Sequence, residues 1–255
     1  MIRSSCGKLI ALTIVAAALL PPGAVANAAF PGGNGDIAFG RSSKGQVDIW
    51  VVYAGVTGTR RLTDTPNRIE SMPDWNAAGT RIAYVRCSSD ELGNCDIFAR
   101  DADGSNPTRL TSTPGVQETW PAWSPNGSAI AYTSNAQDSL QDIWVMDANG
   151  SNPVRLTSGP RVDERPDWAP DGTRIVFSRN GHIWAMDDDG QNEMQLTDTK
   201  QDEFAPVFSP NGRRIGFSRL GNDHRIGVWV MRDDGSVRVQ KTFGRIDFFP
   251  DWQPI

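Results

Sequence analysis

The sequence predicts an all-β protein: a five-bladed β-propeller of four-stranded antiparallel blades, closed by pairing of its last strand with its first ones. Two observations predict it. Four short segments recur five times in fixed order, and turn chemistry bounds each of them. Helix-period patterning is missing outside the first 28 residues.

The first segment, strand A, is PDW (73–75), PAW (121–123), PDW (166–168), PVF (206–208) and PDW (250–252). Strand B is IAF (37–39), IAY (82–84), IAY (130–132), IVF (175–177) and IGF (215–217). Strand C is DIW (48–50), DIF (96–98), DIW (142–144), HIW (182–184) and GVW (227–229). Strand D is RLT (61–63), RLT (109–111), RLT (155–157), QLT (195–197) and the weaker QKT (240–242). Short runs rich in aromatic and branched residues between Gly, Pro, Asn and Asp are strands. A recurring unit of about 40–45 residues with four strands is a propeller blade.

The stretch PAWSPNGSAIAYTS (121–134) shows how a unit is built. Ser124-Pro125-Asn126-Gly127 is a tight turn between strands A and B, because Pro presets φ and Gly takes the positive φ needed to leave the turn. PDG (170–172) and PNG (210–212) repeat it, and Ala77-Ala78-Gly79 keeps the Gly alone. DADGSNP (101–107), DANGSNP (147–153) and DDDGQNE (187–193) join strands C and D as hairpin turns. They half-resemble calcium loops but lack the distal Glu and the flanking helices of an EF-hand. One four-stranded sheet cannot bury both faces, whereas blades packed side by side can. The nine Trp are expected to fill those seams, each buried large apolar side chain contributing about 1.5–3 kcal/mol.

The chain starts its repeats at a strand B and ends at a strand A, PDWQPI. Joining the two completes a fifth blade. Residues 1–28 read as a cleavable export signal: Arg3 and Lys8, the apolar run LIALTIVAAALL (9–20), then Ala26-Asn27-Ala28. The propeller domain is then 29–255. The remaining chain carries 23 basic and 30 acidic residues, a net charge of −7, which excludes general phosphate-backbone binding. No nucleic-acid partner is expected, and no second run is long enough to span a bilayer. Cys87 and Cys95, in CSSDELGNC, are expected to form a disulfide in an exported protein.

These motifs resemble the TolB-type propeller repeat, with its P-x-W-S-P-D/N-G-x-x-I-A-F, D-I-W-V-M-D-x-D-G and R-L-T elements, best at 121–157 and 166–197. TolB is a periplasmic component of the Tol–Pal envelope system, with an extra N-terminal α/β domain and six blades. The resemblance implies a propeller-only relative, monomeric, secreted or periplasmic, that binds an envelope or extracellular protein.

The A–B and C–D turns fall on one face of such a ring and the variable B–C loops on the other, which makes the B–C face the expected binding face. An acidic residue stands three positions before each strand-A Pro: Glu70, Glu118, Asp163, Glu203 and Asp247. By repeat logic they lie near the inner end of the D–A connection and can ring a channel mouth, where they would attract a basic partner segment or a divalent cation such as calcium. No other cofactor is expected. The structural alternative is that each carboxylate caps local amides or pairs with an arginine, Arg68 and Arg165 being candidates. Asp48, Asp96 and Asp142 open strand C in three blades, but His182 and Gly227 replace them, which argues against a symmetric catalytic role.

No G-x-S-x-G elbow is present, and the two histidines, His182 and His224, lie in neighbouring blades without a triad pattern. GGNGDIA (32–38) precedes a strand instead of opening a helix, so it lacks the dinucleotide-binding context. The leading function is therefore a non-catalytic protein-interaction scaffold. The alternative is an extracellular carbohydrate hydrolase or lyase using the channel-mouth carboxylates.

Overall fold

The computed structural model describes residues 36–43, 46–53, 57–88, 94–137, 139–242 and 247. Every regular element among them is a β-strand. Blade 1 supplies strands B, C and D as β1 (Ile37–Ser43), β2 (Gln46–Val52) and β3 (Arg60–Arg61). Blade 2 is complete: β4 (Arg68–Trp75), β5 (Arg81–Ser88), β6 (Cys95–Asp101) and β7 (Thr108–Arg109). Blade 3 is β8 (Glu118–Trp123), β9 (Ala129–Ser134), β10 (Asp142–Asp147) and β11 (Val154–Arg155). Blade 4 is β12 (Asp163–Trp168), β13 (Arg174–Arg179), β14 (His182–Asp187) and β15 (Met194–Gln195). Blade 5 is β16 (Glu203–Phe208), β17 (Arg214–Leu220), β18 (Ile226–Arg232) and β19 (Val239–Gln240). The export signal and the closing PDW segment at 250–252 lie outside the described residues.

Within each blade the strands pair antiparallel in chain order. Blades 1 and 2 are further joined by one parallel pairing, Val47 with Ile69. Strands A of successive blades, β4, β8, β12 and β16, contact one another and so lie innermost. Strands B and C run longer than their three-residue motifs, because the ladder continues through polar residues up to Ser134, Arg179 and Leu220.

The seams hold the core. Trp123 packs with Ala83, Ile97 and Leu110 of the preceding blade and with Ile130 and Tyr132 of its own. Trp168 likewise joins Ala122, Ala131 and Ile143 to Ile175 and Phe177. Neighbouring blades thus bury the faces they turn to one another.

The strand-D Thr has a local function that repeats five times. Its hydroxyl accepts the amide of the second strand-C residue: Thr63 from Ile49, Thr111 from Ile97, Thr157 from Ile143, Thr197 from Ile183 and Thr242 from Val228, at 2.8–3.0 Å. This satisfies a strand-C donor where the two-residue strand D ends.

The C–D turns are Asx turns. The Asp103 carboxylate accepts the Ser105 amide at 2.8 Å, and Asn106 donates to Asp101 at 2.7 Å. Asn152–Asp147 and Asn192–Asp187 repeat the second bond at 2.8 and 2.6 Å. These hydrogen bonds from Ser105 hold the Asp103 carboxyl below its usual range.

Candidate functional site

The five acidic residues occupy equivalent backbone positions. Glu118, Asp163 and Glu203 open β8, β12 and β16, and Glu70 lies near the start of β4. The amides of Asp163, Glu203 and Asp247 donate to the preceding blade, to Gln141, Gly181 and Ile226, at 2.7–2.9 Å. Glu70, Glu118, Asp163 and Glu203 are 0–3% exposed, and Asp247 is half-buried. Glu70, Glu118, Asp163 and Glu203 belong to strand A, not to the D–A connection.

Three of them are ion-paired, and the partners differ from the arginines expected. Arg86 Nε meets Glu70 at 2.7 Å, Arg179 grips Asp163 through Nε and Nη2 at 2.6 and 2.7 Å, and Arg219 Nε reaches Glu203 at 2.8 Å. Each arginine ends strand B directly across the ladder, 16 residues after its acid. Its guanidinium also lies 3.9–4.8 Å from the strand-C aromatic ring centroid: Phe98, Trp184 or Trp229. A buried carboxylate is tolerable only with such a partner. The constant spacing was the signal in the sequence. Arg68 instead donates to Ser88.

Glu118 breaks the pattern, because Ser134 stands where the arginine should be. Burial pushes the Glu118 carboxyl above its usual range; the hydroxyls of Thr111 and Thr113 and the Arg109 charge act against this, and Asp96 adds to it. Burial, with the Glu118 charge, also raises the Tyr132 phenol.

The strand-C acids form a second repeated pair. Asp48, Asp96 and Asp142 bind the strand-D arginines Arg61, Arg109 and Arg155 at 2.6–2.7 Å. Arg109 and Arg155 also reach the carbonyls of Thr111 and Thr157, both at 2.9 Å. Blades 4 and 5 lose both members together. His182 and Gly227 replace Asp, and Gln195 and Gln240 replace Arg, keeping only the bonds to the Thr197 and Thr242 carbonyls at 2.6 and 2.8 Å. The paired change was readable in the sequence and marks a structural pair.

Strand A carries a bulge just before its Pro. Met72, Trp120, Arg165 and Ala205 adopt φ of 53°, 53°, 60° and 52°, a region rarely used by such residues. The Arg165 and Ala205 amides donate to Thr133 and Ser178 of the preceding blade at 3.0 and 3.1 Å. At the bulge the Arg165 guanidinium sits 4.5 Å from the Trp120 ring and 5.2 Å from Phe204. Arg165 is thus an aromatic-flanked residue whose Nε lies 3.7 Å from the Glu164 carboxylate of its own strand. Its pKa is lowered by burial.

On the B–C side, Cys87 and Cys95 face each other across β5 and β6 and form a disulfide. His182 opens β14, and His224 lies in the exposed loop before β18. Among the described residues no three His, Cys, Asp or Glu gather as metal ligands, and no helix is long and apolar enough to cross a membrane.

A family model described as "TolB beta propeller domain" matches residues 85–255. Among solved structures, TolB from Acinetobacter baumannii superposes with a TM-score of 0.74 at 21% identity, over 86% of this chain and 55% of that one. The chain thus spans about half that protein's length. A putative TolB from Agrobacterium tumefaciens gives 0.57 at 22% identity over 72% and 83%. An oligogalacturonate lyase in complex with manganese gives 0.55 at 12% over 88% and 82%. At these identities the likeness is one of fold. No curated protein matches the chain in sequence.

Proposed function

Because this chain belongs to the TolB β-propeller domain family, we propose that it is an exported, periplasmic or envelope-associated scaffold that binds a protein partner without chemistry of its own. The carrying observation is the contrast between its two faces. In blades 2–5 the A–B turns span 76–80, 124–128, 169–173 and 209–213, and the C–D turns 102–107, 148–153, 188–193 and 233–238, so in these blades each class keeps one length. The B–C connections span 44–45, 89–94, 135–141, 180–181 and 221–225. One face is repeated and the other individual, as recognition on a rigid frame requires. Family resemblance supports the envelope location.

The buried acids support a binding role over a catalytic one. A hydrolase or lyase needs carboxylates that reach substrate, whereas Glu70, Asp163 and Glu203 lie under arginines. We assign them to holding the scaffold. Added calcium is accordingly expected to leave the melting temperature unchanged.

The test is a crosslinked complex from the envelope of the producing cells, rebuilt from purified components. Replacing 135–141 by the short Asn180-Gly181 pair should weaken binding about tenfold or more without lowering the unfolding midpoint. Equal binding by that variant, or turnover of a polysaccharide by the intact chain, would overturn the reading.

A further inference from the structure

Blade 5 differs from the others where strand C opens. Three blades place an Asp there and one a His, each against the strand-D residue; blade 5 has Gly227. Beside it lies a cavity of about 310 Å³, lined by Arg219, Asp223, Arg225, Gly227, Trp229 and Gln240. A Cβ at Gly227 would lie 3.1 Å from the Gln240 side-chain nitrogen and 3.2 Å from the Thr242 carbonyl. Gln240 and the Thr242 carbonyl therefore close in on the place where the other blades hold their side chain, and the cavity lies beside it.

The geometry points to this cavity, beside the 221–225 connection of the B–C face, as a binding site for a small carboxylate ligand. In blade 2, Asp96 sits across the ladder from Arg86; in blade 5, Arg219 faces Gly227 in the same register. A ligand carboxylate in the cavity beside Gly227 supplies an acid that blade 5 lacks at this end of strand C. It meets Arg219 on one side, whose side chain is 11% exposed and fixed by Glu203 and the Trp229 ring. On the other it meets Arg225, whose side chain is 58% exposed and 3.4 Å from Asp223. The Gln240 amide supplies a neutral donor where other blades have arginine, and Trp229 supplies an apolar wall. Asp223 disfavours polyanions, so the fitting head group carries one charge. Two guanidiniums around a site shielded on one side give charge-assisted hydrogen bonds, which are the strong ones.

The test is calorimetric titration of the mature protein with acetate, lactate and succinate, and with acetamide and lactamide as uncharged counterparts. At least one carboxylate should bind, with its amide weaker by about tenfold or more. Arg225→Gln, an exposed change that leaves folding intact, should weaken carboxylate binding by about tenfold. The double substitution Gly227→Asp with Gln240→Arg rebuilds the pair of blades 1–3 and should abolish binding. The assignment fails if no carboxylate binds, if amides bind equally, or if either variant keeps full affinity.

Discussion

The Asp74 carboxylate of blade 2 accepts the backbone amide of Trp123 in blade 3 at 2.7 Å, across 49 residues of sequence. Asp167 does the same for Phe208 at 2.7 Å, from blade 4 to blade 5. The middle residue of PDW is thus an inter-blade clasp, tying β4 to β8 and β12 to β16. Ala122 and Val207 stand at that position in blades 3 and 5 and carry no such carboxylate. Truncation of Asp74 to Ala should cost about 1–3 kcal/mol by stranding a buried amide, and Asp74→Asn should cost less because it keeps an acceptor. Urea unfolding of both variants measures this; equal losses would remove the clasp.

The strand-A acid and strand-B arginine act as one unit. Arg179→Met leaves Asp163 buried without its two-pronged partner and should cost about 3–5 kcal/mol. Pairing it with Asp163→Asn should recover much of the loss. A double-mutant cycle showing additive losses would refute the coupling.

Glu118 should make stability depend on pH. Its carboxyl is raised above the ordinary 4.5, first by burial, so the folded state binds its proton more tightly than the unfolded chain. That contribution is fully present below the unfolded value and is lost as pH rises through the folded one. Glu118→Gln should therefore gain on the parent as pH climbs through this window and hold the gain above it. Denaturant midpoints from pH 4 upward test it; a parallel pH profile would count against it.

Two glycines with left-handed backbone separate strain from contact. Gly235 (φ +82°) would place a Cβ 2.5 Å from the Leu196 carbonyl of the preceding blade, whereas Gly79 (φ +65°) has nothing within 4 Å. Gly79→Ala should cost about 1–2 kcal/mol from backbone strain alone. Gly235→Ala should cost clearly more, because the turn must leave the seam. Melting temperatures of the two variants decide it.

Ring closure has a charge signature. The Arg41 guanidinium lies 4.5 Å from the Trp50 ring, as its counterparts lie over Phe98, Trp184 and Trp229. In a closed ring the acid that completes blade 1 is Asp247. Arg41→Glu and Asp247→Arg should each destabilise, and the two together should restore stability. Failure of the double variant to recover would separate the chain ends.

The legible parts of this protein are local. The Gly of each A–B turn, the Asx turns at Asp101–Asn106, the strand-D Thr and the Cys87–Cys95 bridge follow from neighbours in sequence or across one hairpin. Backbone sterics and short-range hydrogen bonds act over those distances. The acids at 70, 118, 163 and 203 were found by their spacing, but their direction was not. A carboxylate at the start of an inner strand can face solvent or a cross-strand neighbour, and the ladder register sets Glu70, Asp163 and Glu203 against Arg86, Arg179 and Arg219.

The repeat by itself determined the number and order of strands, the blade unit and the residues that fill the seams, because alternation and turn chemistry are written residue by residue. Only the packing of one blade on the next decided that Asp74 and Asp167 clasp the following strand A and that Arg165 meets the Trp120 and Phe204 rings. Those outcomes depend on distances between chain segments some 40 residues apart, which no local pattern encodes.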